Sequence, residues 1–325
     1  MTTSLSEFDH PDSVWNRAVD IHAHTDPFCC RTEWQLSFHE CFAPTRQLLI
    51  SSTDDSLIAF ARHAETTNGS LIEPVEASWL FGCPLLGPDA VPMLQQLLAE
   101  HPNTPVILSG IDLEGELIRV LAATFAGSYD LVHVTSEIAC RAELRDGFDG
   151  YMSRRSTKHR RSVRNSERRA SERGVTFERH SARTSDEAAA VYARIIAVEE
   201  RSWKGIGKCG MNKPPSLQFY NAMLRRMAAQ ASSRVIFARH DGNDIGFIFG
   251  GLCDREPEGS IYRGQQFSFD NEWRSSSIGG LLQLEQLRWL CEEGVARYDM
   301  GPAMAYKHHW TETQLRFDAI ALRPR

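Results

Sequence analysis

One stretch, Ser260 to Trp310, constrains this chain more than any other. A β-type run, Ile261 to Phe269, interleaves aromatic and polar residues, and a polar turn, Asp270 to Ser277, follows. Ile278 to Glu293 then carries apolar residues at helical spacing: Ile278, Leu281, Leu282, Leu284, Leu287 and Leu290. Gly294 supplies a helix stop, since glycine takes the left-handed conformation that ends a helix without steric cost. Val295 to Met300 reads as a second short strand, closed by Gly301-Pro302. The pattern predicts strand, small-residue turn, helix, strand.

The turn carries the chemistry. Ser275, Ser276, Ser277, Gly279 and Gly280 crowd the start of the helix. Small residues leave its first amides uncovered, and the helix dipole adds partial positive charge there, a combination that binds phosphate or pyrophosphate. Serine is also a good N-cap, so the same residues fit a plainly capped helix.

The segment Arg274-Ser275-Ser276-Ser277-Ile278-Gly279 resembles the Arg/Gln-x-x-Gly-x-Gly/Ala pyrophosphate loop of the GNAT superfamily of N-acetyltransferases, with Ser277 in place of the first glycine. Further elements are similar to the CelD/BcsL-type acetyltransferase family, a GNAT branch related to the FemABX aminoacyl transferases. They are Gly279-Gly280-Leu281-Leu282, Trp289, Glu293-Gly294, Tyr298-Asp299-Met300-Gly301 and Tyr306-Lys307 followed by Trp310. The resemblance is specific over the last third of the chain and looser upstream. It implies an α/β (α+β) fold of tandem GNAT-like domains, each a mixed, mostly antiparallel sheet flanked by helices. It also implies an acyltransferase that takes acyl-CoA (acetyl-CoA) as co-substrate. The acceptor would be an amino or hydroxyl group on a small molecule, glycan or peptide, in cell-envelope or polysaccharide chemistry. On this reading Arg274, Ser276, Ser277, Ile278, Gly279 and Gly280 hold the donor.

Length and composition fit two globular domains: 325 residues, 42% hydrophobic and 24% charged. The net charge of −6 argues against a chain built to coat nucleic acid or anionic lipid, so any anion affinity is local. The first residues are acidic and lack the apolar core of a signal peptide, and no run approaches the roughly 18 apolar residues of a membrane span. A cytoplasmic protein is expected. The 8 cysteines make no Cys-x-x-Cys and read as reduced thiols, several of them buried.

Three upstream features bear on function. Val19 to His24 alternates apolar residues and ends in His-x-His, similar to the first metal motif of amidohydrolases, where two histidines at a strand end hold a divalent ion. The later Asp and His of such a barrel do not follow, so no metal is expected. Two hairpins, Gln47–Ser51 with Ser56–Ala61 and Arg234–Arg239 with Ile245–Phe249, mark a weak internal repeat. Tyr151 to Gly174 is sharply basic, with Arg or Lys at 154, 155, 158, 160, 161, 164, 168, 169 and 173. It reads as a solvated linker helix, an RNA contact or a contact to an anionic substrate. The expected division is therefore 1–149, a junction helix over 150–174, and an acyltransferase domain over 175–325. In that last domain Thr184 to Glu187 forms a capping box. The Trp203-Lys204-Gly205 that closes its helix is shared with the resembled family and would lie over an acceptor site.

Acyl transfer to an amine needs a grip on the donor, a polarised carbonyl, a proton acceptor and a proton for the leaving thiolate. The strands either side of the turn supply backbone amides to the carbonyl. Asp299 is the leading candidate base, with ordering of the Gly-Pro turn or pairing with Lys307 as its structural alternative. Tyr306 is the candidate proton donor, and Lys307 a point charge for phosphate or carboxylate. His308 and His309 are adjacent and are expected at the surface. Two other readings stand beside this one: a FemABX-like ligase fed by aminoacyl-tRNA, and a metal hydrolase built on His22 and His24.

Overall fold

The computed structural model of the protein describes residues 5–22, 26–63, 70–255 and 259–325. The chain divides into two compact units, Met1–Ile138 with Leu315–Arg325, and Ala139–Gln314.

Unit 1 opens with α1 (Val14–His22), α2 (Pro27–Cys30) and α3 (Thr32–Phe42). The first expected hairpin follows as β1 (Gln47–Ser52) and β2 (Leu57–Arg62), antiparallel with Gln47 opposite Arg62 and Ser52 opposite Leu57. Then come β3 (Ile72–Pro74), β4 (Leu85–Leu86), α4 (Ala90–Glu100), β5 (Val106–Ile111), α5 (Glu116–Phe125) and β6 (Tyr129–Glu143). Unit 2 takes up β6 at Ala139 and continues with α6 (Gly147–Ser153), α7 (Thr157–Glu172), β7 (Thr176–His180), α8 (Ser185–Arg201), α9 (Trp203–Ile206) and α10 (Ser216–Ala228). It ends with the second hairpin, β8 (Ser233–His240) and β9 (Asn243–Cys253), then β10 (Ile261–Phe269), α11 (Ile278–Glu292) and β11 (Arg297–Pro302). From Leu315 onward β12 (Thr313–Pro324) belongs to unit 1.

The sheet of unit 1 runs β1–β2–β3–β5–β12, with β4 on β2, and is antiparallel apart from the β3–β5 pair. Its core joins Leu57 and Phe60 of β2, Leu94 of α4, Val106 of β5, Leu121 of α5 and Ile320 of β12. The expected strand at Val19 is the end of a helix. Trp15, Ala18 and Val19 are buried at helical spacing, and that period outweighs the short alternation through Ile21. His22 therefore sits on the last turn of α1 rather than at a strand end, and His24 lies outside the described residues.

In unit 2 the order is β11–β10–β9–β8–β7, with residues 139–143 of β6 antiparallel to β11. Only the β10–β11 pair among these is parallel. The expected helix over 278–293 is α11, with all six of its predicted apolar residues buried. Its buried Gln283 and Gln286 accept from the phenols of Tyr298 (3.4 Å) and Tyr262 (3.2 Å), so the helix lies against both strands without orphaned carbonyls there. The basic stretch forms two helices, because Ser156 caps a new start by accepting from the His159 amide (3.2 Å). Val163 and Ala170 of α7 pack into cores shared with α11, so α7 is part of unit 2. The sequence reading of 150–174 as a separate junction, and of 315–325 as part of the second domain, differs from this division. The cause is long-range pairing: β12 finds its partner in β5, with Leu322 opposite Val106.

Candidate active site

The turn expected ahead of the helix forms, with one addition. A 3-10 turn spans Asn271–Ser276, and Ser277 then takes the left-handed conformation (φ 57°, ψ 27°) before α11 begins. That is the backbone a glycine would adopt freely, at the position where the family pattern has one; serine holds it at a cost of about 1 kcal/mol. The Ser277 side chain does not cap α11. The amides of Ile278, Gly279 and Gly280 open its first turn, and Gly280 is exposed. A β-carbon at Gly280 would meet only the Trp310 indole at 3.8 Å, whereas one at Gly279 would lie 2.9 Å from the Phe267 ring and 3.1 Å from that of Phe269. Gly279 is therefore needed for packing against β10, and Gly280 leaves the surface bare. Arg274 is exposed; Arg173, from the end of α7, donates to Ser276 Oγ (2.5 Å) and lies 4.3 Å over the Trp273 ring.

The strands either side of the turn splay. β10 and β11 pair in parallel from Ile261 opposite Arg297 to Arg263 opposite Asp299, and there the pairing stops. β10 shifts register against β9 between Gly264 and Gln266. Gly264 permits the shift, since a β-carbon there would sit 2.9 Å from the Tyr298 ring. Past that point the inner edges of both strands are released from their mutual ladder.

Asp299, at the splay, is 2% exposed. Its Oδ2 accepts from Arg141 Nε (3.0 Å), and its Oδ1 accepts from the Gly301 amide (2.8 Å) with Arg263 Nε at 3.8 Å. Burial opposes the charge, but Arg263, Arg141 and the Gly301 amide outweigh it and hold the carboxyl below its usual range. Gly301 has φ +74°, and a side chain there would run into the Arg263 guanidinium. Lys307 is buried and donates from Nζ to the carbonyls of Met300 and Pro302, both at 2.7 Å. Burial, followed by the charge of Arg263, pushes its amine down to about 8. The Tyr306 ring packs 5.9 Å from Phe267, and burial pushes its phenol up to about 12. His308 and His309 are both exposed.

A second lysine braces the other strand. Lys204, of the Trp-Lys-Gly sequence, donates to Phe267 O (2.8 Å) and to Gln266 Oε1 (3.3 Å). Burial lowers its pKa, opposed by Glu199 at 4.0 Å. Glu199, fully buried, accepts from Ser202 Oγ (3.1 Å) and from the Met211 amide (3.1 Å), so it pins both ends of the intervening loop. The structure thus gathers Asp299, Tyr306 and Lys307 at the splay and keeps the small-residue turn at the head of the adjoining helix. Sequence reasoning missed Arg141, Arg263, Glu199 and Gln266. Their only signals were a buried-type carboxylate beside Gly301 and a glycine in mid-strand at 264.

Residues 157–308 match the family described as an acetyltransferase (GNAT) domain. Domains of this kind are N-acyltransferases that generally take acyl-CoA as donor. The chain is similar in structure to FemX, at 10% identity and a TM-score of 0.64 over 98% of this chain and 96% of that one. It is similar also to a conserved protein of unknown function from Bacteroides thetaiotaomicron VPI-5482, at 12% identity and 0.61 over 99% of both. L-PGS from Bacillus licheniformis aligns at 15% identity and 0.55, over 89% of this chain and 90% of that one. At such identities the likeness is one of fold, and the fold is the expected mixed α/β (α+β) one, with mostly antiparallel sheets flanked by helices. No curated protein matches the sequence. Among the described residues no helix is long and apolar enough to cross a membrane.

Proposed function

We propose that the protein transfers an acyl group from acyl-CoA to an amino or hydroxyl acceptor at the β10–β11 splay, as an enzyme of the CelD/BcsL type. One observation carries the reading: a fifteen-residue helix whose first turn is bare at Gly280, entered through a left-handed residue at 277 and set beside two strands that part after Arg263 and Asp299. The pyrophosphate of CoA binds the amides of Ile278, Gly279 and Gly280, with Arg274 and Ser276 beside it. The acyl arm enters the splay, where strand amides freed from the ladder polarise its carbonyl.

Asp299 positions rather than deprotonates, since both oxygens are engaged and two arginines keep it charged. Proton removal falls to Lys307. As a neutral amine it gives its two N–H groups to Met300 and Pro302 and keeps a lone pair for the acceptor's proton. The acceptor's nitrogen or oxygen, its proton passed to Lys307, then attacks the thioester carbon, the C–S bond breaks, and the protonated Tyr306 phenol donates to the leaving sulfur. The loop braced by Glu199 and Lys204 borders the acceptor side.

Calorimetric titration with acetyl-CoA tests the reading: the wild type binds, and loss of binding in a folded Gly280→Leu variant locates the donor. A wild type that binds no acyl-CoA refutes it.

A second reading, transfer from aminoacyl-tRNA, draws on the outer face of α7. Lys158, Arg161 and Arg164 are exposed there and pair with no carboxylate among the described residues. Charged tRNA, bound more tightly than acetyl-CoA and released by salt, would favour it.

A further inference from the structure

Unit 1 ends in an open sheet edge. β1 stands last in the strand order and, among the described residues, pairs with β2 alone. The Thr53 amide donates to Ser56 O (2.9 Å), which makes that pair a hydrogen-bonded one. Bonded and non-bonded pairs alternate along an antiparallel ladder, so Ser51, Leu49 and Gln47 face β2 while Leu48, Ile50 and Ser52 turn their amides and carbonyls outward. Ala59, opposite Ile50, agrees: its amide is spent on the far side, on Pro84 O (3.0 Å). Among the described residues nothing takes up the outward groups of Leu48 and Ile50.

The edge also lacks the usual protections. Gln47 to Ser52 holds no charge and no proline. A groove of about 620 Å³ runs beside it, with Leu48, Ile50, Met93 and Leu97 among its apolar lining. Successive strand residues point to opposite faces, yet all of Gln47–Ser51 line this groove, so it follows the main-chain edge itself.

The two ends of the strand differ in charge. Past Ser52 come Asp54 and Asp55, both exposed. At the Gln47 end stand Arg46 and Arg62. Arg46 is buried and spent on Glu73 (2.6 Å) and on the carbonyls of Pro74 and Val75, whereas among the described residues Arg62 reaches only Gln47 Oε1 and His101 Nδ1, each at 3.2 Å. Glu100 is the one acidic side chain in the groove lining.

We propose that this edge is an interface between two copies of the chain, β1 pairing antiparallel with β1 of the second copy across a two-fold axis. A two-fold contact must be self-complementary, and this strand is: uncharged in the middle, acidic beyond one end, basic at the other. With Ile50 on the axis, Leu48 of each copy exchanges hydrogen bonds with Ser52 of the second. The Asp54–Asp55 turn of each copy then lies by the unanswered Arg62. Peptide or small-molecule occupants would use the same edge but not this charge pattern.

Sedimentation equilibrium tests the proposal without any assay of activity. The wild type should run at twice its 36.7 kDa chain mass. Ile50→Pro removes an outward amide that the β1–β2 ladder does not use, and should give a folded monomer by circular dichroism. Asp54→Lys with Asp55→Lys should weaken the dimer by about tenfold or more, and adding Arg62→Glu should restore it. A wild type that stays monomeric to roughly 100 µM overturns the proposal, as does a dimer that survives Ile50→Pro or ignores the charge reversals.

Discussion

Substitution of Gly280 by leucine separates donor binding from folding. The site of the new β-carbon is open apart from the Trp310 indole at 3.8 Å, an ordinary contact. Gly280 lies inside the first turn of α11, where any side chain limits the unfolded backbone, so stability should hold or rise by about 0.5–1 kcal/mol. The leucine side chain covers the turn and keeps a pyrophosphate from the Gly279 and Gly280 amides. Hydrogen bonds to charged groups contribute about 1.5–3 kcal/mol each, so losing two costs about 3–6 kcal/mol, or roughly 10²–10⁴-fold in affinity. Titration calorimetry with acetyl-CoA reads the affinity, and thermal unfolding without ligand reads the stability. The Gly279→Leu exchange is less clean, because its β-carbon would press on Phe267 and Phe269 and disturb β10 as well. Wild-type affinity in a folded Gly280→Leu variant would refute the placement of the donor on α11.

Ser277→Gly should relieve the left-handed serine (φ 57°), raising stability by about 1 kcal/mol and leaving acetyl-CoA affinity intact; a fall in melting temperature would show that the serine side chain is needed there. With the Lys307 amine near 8, its neutral form grows from about a tenth at pH 7 to half at pH 8, so kcat/KM should climb through pH 8 and level off above it. Lys307→Arg should lower the rate and abolish that limb, and an unchanged profile would remove Lys307 from the chemistry. The same depressed pKa binds fewer protons in the native state than in the unfolded one between about pH 8 and 10.5, so Lys307 adds stability as pH rises through that window. Lys158→Ala, Arg161→Ala and Arg164→Ala together should leave acetyl-CoA binding unchanged but reduce the salt slope of any RNA binding by about 2. Arg160 is unsuited to that test, because it donates to the carbonyls of Ser153 (3.0 Å) and Arg155 (2.6 Å) at the end of α6.

Local signals were legible wherever one residue decides a local conformation. Thr184 caps α8 by accepting from the Glu187 amide (3.2 Å), and Gly294 ends α11 at φ 72°, both as their side chains dictate. The hairpin turns and the six apolar positions of α11 were equally plain, because period and turn chemistry act over a few residues. The histidine pair misled, since three alternating residues near Val19 were weighed above a helical stripe that begins at Trp15.

From the sequence alone came the strand–turn–helix–strand unit and the bare first turn of its helix. Each depends on spacing within one segment, and side-chain period and backbone freedom fix such features before the chain is compact. The tertiary structure decided what the site residues can do. Asp299 looked like a base until Arg141, 158 positions away in the chain, was placed against it. Lys307 looked like a free charge until burial set it against the carbonyls of Met300 and Pro302. Ionisation depends on desolvation and on neighbours brought together by sheet pairing, and a linear sequence does not say which strands will meet.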